Sequence, residues 1–170
     1  MSFKRYINKK NDSAFPKMVD FFSNVVSINT KTWKNNNDQS PIKFDFDIFY
    51  MCMILGIKFN LLEDDSNYTS EVFYNQENFP KEYKSKENTI VPTILFQIAK
   101  NENYDLNNKN STRELINNFI LPSTLSKELI KYMNQYSLGG YIKLLESFNY
   151  DAPDNDMSKF FNKYNKLMSM

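Results

Sequence analysis

The chain has 170 residues, 41% of them apolar and 16% aromatic, with one cysteine, no histidine and a formal net charge of +1. This is far from a disordered composition and long enough for a core that needs no staples, and Cys52 by itself forms no internal disulfide, which predicts a reducing setting. The absence of histidine excludes Ser-His-Asp and Cys-His catalysis and the usual zinc sites, and the near-zero charge argues against bulk binding to nucleic acid or a membrane surface.

The charge is unevenly spread. Residues 1–34 carry seven Lys/Arg against two Asp, and residues 35–79 carry two Lys against eight Asp/Glu. A basic start and an acidic middle can meet within the fold or face different partners. The opening MSFKRYINKKNDS has charge but no apolar run behind it, unlike a secretory signal, which predicts a cytoplasmic chain. Lys4, Arg5, Lys9 and Lys10 read as a basic arm suited to weak, backbone-directed contact with nucleic acid. Only two arginines occur, Arg5 and Arg113, so base readout is not expected.

Phe15, Val19, Phe22 and Val26 recur at steps of three or four residues and predict a helix from about Pro16. A polar loop follows, with Trp33 between Lys31 and Lys34, where an exposed indole would anchor a partner or cover the edge of the core. Within FDFDIFYMCMILGIKFN at 44–60 the uninterrupted apolar run, Ile48 to Ile57, is only ten residues, too short for a membrane span, which needs roughly 20. Apolar on nearly every side, it predicts an enclosed central helix, with Asp45 or Asp47 in its first turn and Gly56 either permitting a close backbone approach or ending it. Residues 68–90 are ambiguous between strand, helical turn and loop.

TIVPTILFQIAKNEN predicts a buried helix with Pro92 in its first turn. Ser111 and Glu114 stand at capping-box spacing and predict a helix start. STLSKELIKYMNQYSLGG predicts a helix closed by Gly139, with a short helix over YIKLLESF after it. Asp156 predicts the cap of a last helix whose Phe160, Phe161, Tyr164 and Leu167 share one face, opposite Lys159, Lys163 and Lys166.

Chemistry, if present, falls to carboxylates. Asp45, Asp47, Glu63, Asp64 and Asp65 would suit a hard cation if they converged, but no ligand spacing is diagnostic, and dipole stabilisation with a solvated helix end explains them better. Asp65 with Glu82 and Lys84 matches the D…E-x-K pattern in which acids hold a metal and Lys orients water. That pattern needs a buried strand, and KEYKSKEN reads as a polar loop. DAPDND lacks the glycine and glutamate of a calcium loop. Cys52 reads as an inert core thiol.

Two segments together resemble a known kind of protein. FDFDIFYMCMILGI is an aromatic-rich helix ending in Leu-Gly, and LSKELIKYMNQYSLGGYIKLLE follows a Leu-Ser-x-Glu … Asn-x-Tyr-x-x-Gly-Gly pattern. They resemble small accessory subunits encoded in multi-gene bacterial anti-phage defence cassettes, beside an ATPase or a nuclease. The resemblance implies a non-catalytic partner of a larger, DNA-directed machine.

The expectation is a mainly α-helical, compact single domain over 1–170, a bundle of about six to seven helices with a short hairpin or irregular segment around 68–90. The expected role is an interaction subunit that binds a larger protein through Trp33, Phe160, Phe161 and Tyr164, with no cofactor, no metal and no membrane. The alternatives are a metal-dependent nuclease or hydrolase using Asp45, Asp47, Asp65 or Glu82, and weak nucleic-acid binding by the N-terminal arm.

Overall fold

The structure, a computed structural model, describes residues 2–12, 14–25, 42, 45–75, 78–121, 124–154 and 156–170. Among them, β1 (Phe3–Lys9) pairs antiparallel with β2 (Tyr68–Tyr74), and six α-helices complete the fold. These are α1 (Met18–Phe22), α2 (Asp45–Lys58), α3 (Glu87–Asn101), α4 (Lys109–Phe119), α5 (Lys127–Ser147) and α6 (Met157–Ser169). The protein is therefore mainly helical but not a pure bundle.

As expected, α2 is the central element. Phe46, Phe49, Met53 and Ile57 face one apolar cluster, shared with β1, α3, α4 and the first half of α5. Ile48, Cys52 and Leu55 face a second, shared with α1, α6 and the second half of α5. Leu55 is fully buried, whereas Ile54 is only partly covered. One helix thus serves two cores, which is why its sequence is apolar nearly all round.

The principal packing partner of α2 is α5, and the chain's three glycines lie at their junction. A Cβ on Gly56 would overlap the Tyr136 carbonyl, one on Gly140 the Cys52 carbonyl, and one on Gly139 the Leu61 carbonyl. Gly139 therefore does not close the helix: α5 runs unbroken through both glycines to Ser147, taking in YIKLLESF. Glycine inside a helix costs up to about 1 kcal/mol, and close backbone packing offsets it here. Ser137 adds a hydrogen bond from its hydroxyl to the Phe49 carbonyl, 3.4 Å.

Local signals hold at some helix starts and shift at others. Asp156 caps α6 as expected, its carboxylate accepting from the Ser158 and Lys159 N–H groups. Ser111, by contrast, lies inside α4. Asn108 caps that helix, accepting from the N–H groups of Asn110 and Ser111. Helix α3 starts at Glu87, so Pro92 falls in its second turn and leaves the Asn88 carbonyl without its i+4 donor.

The N-terminal residues form no free arm. Phe3 and Tyr6 are fully buried, and the edge of β1 is closed by Asn134 of α5. Its side-chain amide accepts from Lys4 N (3.1 Å) and donates to the Ser2 carbonyl (3.0 Å), as a neighbouring strand would. The segment around 68–90 proves composite: β2, then a 3-10 turn at Lys81–Lys86 leading into α3.

Candidate interaction surface

The basic start and the acidic middle meet within the fold. Lys4 Nζ lies 2.9 Å from Asp65, and Arg5 reaches Glu71 at 2.8 Å and Asp45 at 3.5 Å. Lys10 Nζ donates to the Ser66 carbonyl at 2.6 Å, and Lys9 Nζ stands 6.0 Å from the centre of the Tyr68 ring. Pairs this close to solvent contribute little each, up to about 1 kcal/mol. Their effect on recognition is larger, because charges spent on Asp65, Glu71 and Asp45 do not present an open cationic arm to phosphates. Of the four candidate nucleic-acid contacts, Lys4 and Arg5 are thereby redirected inward, while Lys9 and Lys10 stay exposed on the strand's end.

The candidate metal carboxylates are likewise held apart. Asp45 faces Arg5, Asp47 accepts a hydrogen bond from the Tyr83 hydroxyl, and Asp65 faces Lys4. Asp64 caps a short turn, and the Ser66 hydroxyl and N–H hold its carboxyl below the usual range. Glu82 is exposed on the 3-10 turn, and Lys84 is engaged by Glu87 at 2.6 Å, so the E-x-K triplet lies on neither a loop nor a buried strand. Among the described residues, no group of three or more Asp, Glu or Cys gathers where it could hold a metal ion. Cys52 is fully buried, and burial pushes its thiol pKa up, away from a reactive thiolate.

The described aromatic anchors, all on α6, turn inward as well. Trp33 lies outside the described residues. Phe160 is fully buried, its ring 5.8 Å from that of Phe22 and 5.7 Å from that of Phe148. Phe161 and Tyr164 are partly covered by the same cluster, and the Tyr164 hydroxyl donates to the Met51 carbonyl at 2.9 Å. The amphipathic face of α6 thus docks on its own fold, which removes Phe160 as an external anchor. The spacing that makes a helix face suitable for a partner suits an intramolecular neighbour equally well.

A different surface is left uncovered. On the α3–α4 pair, Phe96 is 51% exposed, Ile116 44%, Ile120 40% and the following Leu121 44%. Pro92, Ile120 and Leu121 also line one groove of about 500 Å³, with Val91 and Leu125 beneath. Its polar rim includes Lys84 and Glu87, already paired with one another. Phe96 lies one helical turn from Pro92, and Ile116 about one turn from Ile120, while neither Phe96 nor Ile116 is part of the groove's lining.

The sequence carries a signal for this face. In STRELINNFI, Leu115 and Ile116 are adjacent, and so are Phe119 and Ile120. Neighbouring positions on a helix point about 100° apart. Packing against α3 and α5 buries Leu115 and Phe119, whereas Ile116 and Ile120 are left to water. An apolar arc wider than one contact is the mark of a helix with a second partner.

Comparison with models of protein families, with curated proteins and with solved structures finds no match.

Proposed function

We propose that this chain is a non-catalytic interaction subunit that docks onto a larger protein, an ATPase or a nuclease, through the exposed face of α3 and α4. The observation that supports it is the exposure of four large apolar residues, Phe96 on α3, Ile116 on α4 and Ile120 and Leu121 just after it, the last two lining an apolar groove with Pro92. Single exposed apolar residues are ordinary, but a cluster rimmed by polar groups marks a surface that another molecule covers. Burying it contributes about 25 cal/mol per Å² of apolar area. The Lys84–Glu87 pair at the rim leaves no lone charge to desolvate there.

The bacterial anti-phage setting rests on the resemblance of two segments, 44–57 and 125–146. In the fold these are the two helices whose glycines pack together, so the resemblance concerns packing features and carries no catalytic identity with it.

Co-expression with the products of neighbouring genes, followed by purification through this chain, tests the reading. The expected result is a stable complex that survives gel filtration and is lost in both Phe96→Lys and Ile120→Lys, with melting curves like the wild type. A chain that emerges alone as a monomer from every co-expression overturns the proposal. A complex indifferent to both substitutions overturns the assignment of the surface.

A further inference from the structure

We draw no further inference here: the strongest candidate, the apolar groove between the first turns of α3 and the α4–α5 connection, is the docking surface already proposed, and nothing in the structure shows what covers it.

Discussion

Gly140 of α5 lies flush against the main-chain carbonyl of Cys52 on α2, with no room between them for a methyl group. In most helix interiors, replacing glycine with alanine stabilises by up to about 1 kcal/mol. Here the sign reverses, because the obstacle is backbone and does not swing aside as a side chain would. Gly140→Ala should destabilise by about 1–3 kcal/mol, the range typical of overpacking. Urea denaturation measures it, and an unchanged or raised midpoint would mean that the two helices do not approach this closely.

Leu55 and Ile54 are neighbours on α2 with different surroundings, the first fully buried and the second half-covered. Leu55→Ala should cost about 2–5 kcal/mol through lost transfer energy and a residual cavity. Ile54→Ala should cost clearly less, since part of its surface already meets water. Equal losses in paired thermal melts would contradict the division of the core along this helix.

Alkaline pH should unfold the protein earlier than its net charge suggests. Burial raises the pKa values of Tyr6, Tyr83, Tyr141 and Tyr164, at Tyr83 with the added effect of Asp47. Burial, together with Glu63, also pushes Tyr68 up to about 12. In the unfolded chain these phenols titrate near 10. The folded state therefore holds its protons longer, so stability is full below about pH 10 and falls as pH rises through the folded values. Melting temperature followed from pH 8 to 12 should drop beyond 10, with phenolate absorbance appearing alongside unfolding. Phenolate absorbance that titrates freely near 10 while the fold persists would show these hydroxyls to be open to solvent.

Tyr150 follows Asn149 at the end of α5, and both adopt left-handed backbone, with φ of 64° and 53°. Asparagine tolerates that region, but a bulky side chain is strained by roughly 1–2 kcal/mol. Half of Tyr150 is exposed, so removing it loses only the packing of the other half. Tyr150→Gly relieves this strain but adds conformational freedom to the unfolded chain, so any rise in stability should stay below about 1 kcal/mol. A fall in the midpoint would mean that the tyrosine ring contributes more than its exposure suggests.

Much of the helical framework is legible in the sequence, because α2, α3, α5 and α6 declare themselves through local apolar patterning. The sheet is not. Lys4 and Asp65 are 61 positions apart, and no local pattern announces that the basic start pairs with the acidic segment. The charge asymmetry hints that the two could meet, without giving a register. Gly139 misleads for a related reason: its local reading is a helix stop, and only distant backbone, that of Leu61 against Gly139 and of α2 against Gly140, explains two glycines inside a helix. The candidate surface is half legible. Adjacent apolar pairs in α4 signal two faces, but which one stays open depends on where α3 and α5 lie. The α6 aromatics show the converse, a face that looks available in sequence and is taken by the fold itself.

The bond between Asn134 and the first strand also sets an order of events. Synthesis runs from the N-terminus, so Ser2 and Lys4 are made long before Asn134, which lies 132 and 130 positions further on. Until then Phe3 and Tyr6 have no complete place to be buried, and the strand waits on a helix near the far end of the chain. Contacts of such long sequence separation slow folding, because loop closure must come before they are gained. A chain truncated before α5 should therefore leave its first residues open to proteases, whereas the full-length protein shields them. The last long helix is what locks the beginning of the molecule in place.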